Sequence, residues 1–302
     1  MTTKYAIEGK NITKNLKGFN LDIDDLKVPK GFATALIGEN GAGKTTLLNI
    51  LSGLRLDYKG DITFFGRYSD KEKEDNGNVK NRIGYTGTGK YYLPQWTVRD
   101  IENISKILFE DFSEDRFRKY CDELAIFPHG QLDIKKPNSS FSDGMKVKLM
   151  LAGVLSRDTD MLILDEPASP LDPLMRDKLC QLISEYINNG NGEKSVFFST
   201  HNISDMENIT DYAIIMENGQ IVERGFVEDL KEKYIVIKGD AADTQKAKDI
   251  LYTITTNPYG FEGICLSENL DKLAGLNVTK EIPTLYQISV AVMKNNTKIV
   301  MR

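Results

Sequence analysis

Apolar and polar positions along this chain repeat with two periods, and the change of period marks its elements. Ala33 to Ile37 form a short apolar run that stops at Gly38, the pattern of a buried strand. "MLIL", from Met161, is a second such run and ends in two carboxylates. "SVFFST", from Ser195, is a third and ends at His201. Short continuous runs of this kind fit parallel strands covered on both faces. From Lys4 to about Gly31 the alternation suggests further strands beside that core, and "GDITFFG", from Gly60, adds another. "YAIIMENGQIVERG" predicts a hairpin whose two-residue turn is Asn218-Gly219.

Helical spacing appears elsewhere. Thr46 to Leu51 carry it, and Gly53 can end that helix. Residues 89–156 are rich in it. Near their start, "KYYLPQW" holds Tyr91, Tyr92 and Trp96, the one tryptophan, either as an exposed docking group or as internal packing. The charged stretch "SDKEKEDNGNVKNR" reads as a solvated loop. After about Glu232 the composition changes. "YIVIKG" and "GICLS" read as strands and "TQKAKDILYTI" as a helix. "EIPTLYQISVAVMKNN" fits a helix with Pro283 in its first turn. The alternation of elements predicts an α/β chain with a small α+β unit at its end.

Composition narrows the function. The 302 residues include 39 Lys+Arg against 44 Asp+Glu, a formal net charge of -5. That balance disfavours nucleic acid as a partner, whose binding rests on a basic footprint. Cys121, Cys180 and Cys265 are odd in number and scattered, without the spacing of a metal site or a disulfide framework, which predicts a reducing interior. "MTTKYAIEGK" lacks the apolar core of a signal peptide. No run approaches the ~18 apolar residues of a membrane span. The expectation is a soluble, cytoplasmic chain that needs a partner for any membrane work.

The sharpest chemical signal is "GENGAGKTT" between a predicted strand and a predicted helix. A G-x-x-x-x-G-K-[ST] loop in that context is a P-loop. Gly38, Gly41 and Gly43 let backbone N–H groups converge on phosphate oxygens, and the helix start adds its positive end. Lys44 can reach the β- and γ-phosphates, and the Thr45 hydroxyl can bind Mg²⁺. Asp165, at the end of "MLIL", suits the Mg²⁺ shell, and Glu166 can activate the attacking water. His201 stands just beyond a strand end, where ligands gather in open α/β sheets. It becomes a candidate γ-phosphate contact, whereas His129 reads as a packing or surface residue.

In these residues the chain resembles the nucleotide-binding subunit of ABC transporters. GENGAGKTT is similar to the Walker A motif, LILDEP to Walker B with its catalytic glutamate, and SPLD, ending at Asp172, to the D-loop. STH resembles the switch histidine, and "FSDGMKVKL" falls where the family has its LSGGQ-type signature. The likeness runs from about Lys4 to Asp229. It implies a RecA-like P-loop NTPase core over residues 1–231, with an antiparallel β subdomain and a helical subdomain at about 89–156. Residues 232–302 would be an accessory α+β domain, resembling those of ABC-2-type exporter ATPases of Gram-positive bacteria. One branch of these exports amphipathic peptides such as phenol-soluble modulins.

The resemblance implies ATP and Mg²⁺ as ligands and two cassettes facing head to tail. Gly38, Asn40, Gly41, Ala42, Gly43, Lys44, Thr45 and Thr46 would hold the phosphates, and Thr45 and Asp165 the metal. Glu166 would act on the water, His201 would sense the γ-phosphate, and Asp172 would lie at the dimer seam. Ser142 and Gly144 would bind ATP across it. The partners would be an integral membrane permease and a second copy or a related ATPase, at the cytoplasmic face of the membrane.

The chain departs from the family pattern in three places. Thr88 stands where the Q-loop glutamine is expected, with Gln95 too far along to replace it. Leu16 falls at the adenine-stacking position, with Phe19 close enough to compete. Asp143 sits between Ser142 and Gly144. There it suits a helix start capped by Ser142, and Lys146 can partly neutralise it. Two rival readings remain open. One is a soluble ABC protein acting on ribosomes or DNA, disfavoured by the single P-loop and the absence of sustained heptads. The other, prompted by Thr88 and Asp143, is a weakly hydrolysing regulatory subunit.

Overall fold

The computed structural model describes residues 4–87, 92–126 and 135–300. Thr88, Tyr91, His129 and the predicted start of the helical region at Gly89 lie outside the described residues.

The chain opens with a hairpin, β1 (Tyr5–Leu16) and β2 (Phe19–Pro29), followed by β3 (Ala33–Ile37) and helix α1 (Lys44–Leu51). Next come β4 (Lys59–Phe64), β5 (Tyr68–Ser69), α2 (Lys73–Arg82) and β6 (Ile83–Thr86). Three helices follow: α3 (Val98–Leu108), α4 (Glu114–Glu123) and α5 (Asp143–Leu155). The chain then returns through β7 (Met161–Leu164), α6 (Pro173–Asn188), β8 (Ser195–Thr200), the hairpin β9 (Tyr212–Glu217) and β10 (Gln220–Phe226), and α7 (Val227–Lys233). The last part comprises β11 (Tyr234–Asp240), α8 (Thr244–Ala247), β12 (Thr253–Asn257), β13 (Gly260–Leu266), β14 (Val278–Glu281) and α9 (Leu285–Val300).

The described strands form three sheets. The central one runs β10-β9-β3-β8-β7-β6, parallel except for the β9–β10 hairpin. An antiparallel sheet, β2-β1-β4-β5, covers one face, and a third, β12-β13-β11-β14, is built from the last quarter of the chain. Strand alternation divides the core in two. Ala35, Leu164, Phe198 and Ile215 point to the side packed by helices, including Ile101, Phe117 and Leu149. Leu36, Ile163, Phe197 and Ile214 point to the side packed by α1 and the antiparallel sheet. Both faces are dry, which is why these strands read as unbroken apolar runs.

Because β3, β7 and β8 are parallel neighbours, their carboxyl ends share one edge. That edge receives Gly38, Asp165 and His201. The β9–β10 hairpin turns at Asn218 (φ 49) and Gly219 (φ 82), as the Asn-Gly pair predicts. Its tip braces the loop before α1: the Gly219 N–H donates to Ala42 O (3.0 Å), and Asp22 N–H donates to Gly219 O (2.9 Å). A Cβ at Gly219 would lie 2.0 Å from Asn20 O, so glycine is required by space as well as by φ.

Three expectations are corrected. The charged stretch from Ser69 to Arg82 is not a loop: Ser69 ends β5, and Lys73–Arg82 form α2. Val79 is 6% exposed and anchors that helix, while nothing lies near Gly77, so its glycine meets no steric demand. The second concerns "TQKAKDILYTI", which is helical only over Thr244–Ala247. Leu251 is buried against the third sheet, and Tyr252 N–H donates to Ile264 O (2.8 Å), so pairing with β13 takes over before a second turn forms. Finally, Pro283 precedes the last helix rather than occupying its first turn. Thr284 starts α9, accepting from Gln287 N–H (3.1 Å) while Gln287 Oε1 accepts from Thr284 N–H (2.9 Å).

Of the aromatic group, Tyr92 and Trp96 are half-buried with ring centroids 6.5 Å apart, and both pack on the main core. Packing is therefore the role of these two. The third sheet has its own small cluster around Ile237, Phe261 and Cys265. Helix α9 nevertheless inserts Leu285, Ile288, Ala291 and Val292 into the main core beside the central sheet. No helix among the described residues is long and apolar enough to cross a membrane.

Candidate nucleotide site

The loop between β3 and α1 reverses through two left-handed glycines, Gly41 (φ 89) and Gly43 (φ 104). A Cβ on Gly41 would meet nothing within 4 Å, so that side of the loop is open. A Cβ on Gly43 would lie 2.7 Å from the Phe19 ring, which leans over the loop from the first hairpin. Leu16 pairs with Phe19 across the turn of that hairpin. Asn40 is exposed, Ala42 is buried, and Thr46 lies half-buried in the first turn of α1.

Lys44 is 6% exposed. Its ammonium donates to Gly38 O (2.7 Å) and Glu39 O (3.2 Å) and lies 3.5 Å from Glu166 Oε1. Thr45 Oγ1 donates to Asp165 Oδ2 (2.9 Å). Asp165, also buried, accepts at its other oxygen from Ser199 Oγ (2.5 Å). The same Ser199 hydroxyl accepts from the Glu166 N–H (2.9 Å), and Glu166 Oε2 meets His201 Nδ1 at 2.8 Å. Lys44, Thr45, Asp165, Glu166 and His201, distant in sequence, thus form one bonded network.

Ser199 is the member that residue-type reasoning misses. It lies two residues before His201 on a buried strand, where a hydroxyl looks like an ordinary core serine, and only pairing of β7 with β8 sets it between the Asp165 carboxylate and the Glu166 backbone N–H. Glu166 has φ 50, a conformation that costs a non-glycine residue about 1–2 kcal/mol. Its backbone N–H on Ser199 and its carbonyl, which accepts from Ser169 N–H (3.2 Å), hold it there.

Ser142, Gly144 and Asp172 stand outside this network. Ser142 caps α5, accepting from Met145 N–H (3.2 Å), and Asp172 caps α6, accepting from Met175 N–H (3.1 Å). Both are exposed. Gly144 fits α5 against the turn before α6: a Cβ there would lie 2.8 Å from Pro170 O. The Asp143 side chain is 90% exposed and pairs with Lys146 at 3.0 Å, the neutralising contact expected from the sequence. Cys121, Cys180 and Cys265 are free and buried. Burial pushes the Cys121 thiol up to about 12 and Cys180 up to about 11, so neither supplies a thiolate at neutral pH.

A parallel sheet whose strand ends assemble a glycine loop, a buried lysine, a Thr–Asp pair and a Glu–His pair defines a P-loop nucleotide-binding domain. The family is more specific. Residues 21–169 match the family described as ABC transporter, and the chain carries an ATP-binding domain of that family.

It is 29% identical over 213 residues to the energy-coupling factor transporter ATP-binding protein EcfA2 of Methanospirillum hungatei, covering 68% of this chain and 50% of that protein. It is also 29% identical over 255 residues to the bacitracin transport ATP-binding protein BcrA of Enterococcus faecalis, covering 83% of this chain and 79% of that protein. The chain thus spans only half the length of the first of these relatives. In fold it resembles the ATP-binding cassette MJ0796, whose dimer was solved bound to ADP and Pi. That likeness has a TM-score of 0.61 at 19% identity and covers 73% of this chain and 98% of that one.

Proposed function

We propose that this chain is the ATP-hydrolysing subunit of an ABC exporter. It would energise a separate membrane-spanning permease from the cytoplasmic face, with a second copy or a related ATPase completing each nucleotide site. The observation that carries the reading is the bonded network, because it gathers the Lys44 ammonium, the Thr45 and Asp165 oxygens and the Glu166 carboxylate at the edge of one open loop, side chains whose chemistry suits phosphate, a hard metal ion and a general base.

The residues present fit Mg²⁺–ATP. Thr45 and Asp165 offer oxygen donors only, as a small hard cation requires, and the Ser199 hydroxyl orients the carboxylate from its other side. Mg²⁺ held by Thr45 and Asp165 would offset phosphate charge. Backbone N–H groups of residues 38–46 and the Lys44 ammonium would cradle the phosphates on the open side of Gly41. Phe19, set on Gly43, is the better placed of the two candidates to offer a face to adenine.

Phosphate oxygens compete with the Glu166 carboxylate for Lys44. Glu166 then keeps His201 as its partner and has one oxygen free to take a proton from the attacking water. His201 holds that carboxylate in place and, being partly exposed, can face the γ-phosphate. Ser142, Gly144 and Asp172, outside this network, would serve the site of the opposing cassette.

Asp143 tempers that seam. A unit charge about 8 Å from a phosphate charge costs about 2 kcal/mol at an effective dielectric near 20. The ion pair with Lys146 and high exposure both reduce this. Asp143→Gly is expected to tighten ATP-driven dimerisation several-fold in light scattering; a looser dimer would show that the aspartate is needed there.

Export of an amphipathic or antimicrobial peptide is the reading favoured for the cargo. The match to BcrA extends over 83% of this chain, more than residues 1–231 supply, and so reaches into the last part. The match to the nickel import ATP-binding protein NikO of Rhodobacter capsulatus covers 67%. Affinity capture of the tagged chain from detergent-solubilised membranes is expected to bring down a protein with several spanning helices. Recovery of ribosomes in its place would overturn the transport assignment.

A further inference from the structure

One buried-edge contact is not used by the nucleotide chemistry above. The Arg176 guanidinium, on the first turn of α6, donates through Nε to Leu171 O (2.9 Å) and through Nη1 to Asp205 Oδ1 (2.8 Å). Asp205 Oδ2 accepts from Asn202 Nδ2 (3.0 Å), and the Asp205 carbonyl accepts from the buried Cys180 thiol (3.6 Å). Arg176 and Asp205 are 29% and 20% exposed at their side chains, so the pair is shielded from water on most of its surface.

The two ends of this clasp matter because of what adjoins them. Leu171 closes the turn that begins at Glu166, through Ser169 N–H to Glu166 O (3.2 Å) and Leu171 N–H to Ala168 O (3.1 Å). The same turn carries Pro170, against which Gly144 fits, and leads into Asp172. Asn202 follows His201 directly, and its own N–H is fixed on Thr200 Oγ1 (3.0 Å). The Glu166 turn and the His201 loop are therefore joined twice, once directly by the Glu166–His201 contact and once through Arg176 and Asp205.

We propose that Arg176 is a positioning residue that makes the Glu166–Asp172 turn and the His201 loop move as one body. This rests on the nucleotide-site reading above. It extends that reading by naming the part that carries a change at His201 outward to Asp172 and Gly144, the surface offered to the opposing cassette. Arginine suits the task because its planar fork aims two donors in fixed directions, one at a carbonyl and one at a carboxylate. A lysine there supplies a single point charge and cannot tie both segments.

The test uses the full chain. Arg176→Gln and Arg176→Lys are each expected to lower kcat for ATP by about 10- to 100-fold through misplacement of Glu166 against His201. KM for ATP stays within about twofold of wild type, since Lys44 and Thr45 are untouched. In a Glu166→Gln background, both variants are expected to raise the chain concentration needed for the ATP-bound dimer by about tenfold.

If Arg176→Gln fails to fold, Asp205→Asn keeps the shape of the clasp and removes its charge, and it is expected to show the same kcat-selective loss. Full turnover in Arg176→Lys would mean that charge alone is needed and overturns the clasp. So does unchanged kcat and dimerisation in Asp205→Asn. A wild-type chain that binds no ATP defeats the nucleotide-site reading itself, whereas a wild type that hydrolyses ATP no faster than these variants defeats only the clasp.

Discussion

Glu166→Gln is expected to bind ATP as the wild type does, to lose hydrolysis by about 10²- to 10⁴-fold, and to accumulate as an ATP-bound dimer. The amide has nearly the shape of the carboxylate and can still face His201 Nδ1, so the strained backbone at Glu166, held by Ser199, keeps its place. What is lost is the ability to accept a proton from water. Single-turnover phosphate release measures the chemical step, and size-exclusion chromatography in millimolar ATP measures the dimer. Unchanged turnover would remove Glu166 from the reaction and leave the Glu–His pair as a structural contact only.

Lys44→Ala is the second large effect. It removes the one buried cation in the described network and is expected to weaken ATP binding by about 10- to 100-fold, the equivalent of one charge-assisted contact of about 1.5–3 kcal/mol. Hydrolysis should fall to background, because the β- and γ-phosphates lose their anchor. The carbonyls of Gly38 and Glu39 also lose their donor, and Glu166 keeps only its His201 contact. Calorimetric titration with a non-hydrolysable ATP analogue reads the affinity directly. An affinity equal to wild type would place the phosphates elsewhere than in this loop.

How much of the site was legible depended on distance along the chain. Gly41, Gly43, Lys44 and Thr45 are adjacent, and their spacing alone specifies a loop with two left-handed glycines followed by a helix start. Asp165, Glu166 and His201 were legible one at a time, as polar residues at the ends of apolar runs. Ser199 was not, since a buried serine on a strand carries no mark of the Asp165 carboxylate and the Glu166 backbone N–H that it joins. Nor was Arg176, whose partners Leu171 and Asp205 come together only when α6 lies against the loop after His201. The left-handed Glu166 was hidden as well, because nothing in a glutamate announces positive φ.

Short-range pattern, by itself, determined the parallel strands, the phosphate loop, the Asn218-Gly219 turn and the caps at Ser142 and Asp172. Each of these is set within a turn or a strand, by φ preferences, side-chain periodicity and hydrogen bonds to near neighbours. Tertiary packing decided the rest. It made a helix of the charged stretch ending at Arg82 by giving Val79 a buried seat, and it cut the helix after Thr244 short by offering Tyr252 a strand partner. It also sent α9 back into the main core, although that helix follows the third sheet. In each case a long-range contact outweighed a local preference that differs by only a few tenths to about 1 kcal/mol per residue between states, less than one buried side chain contributes.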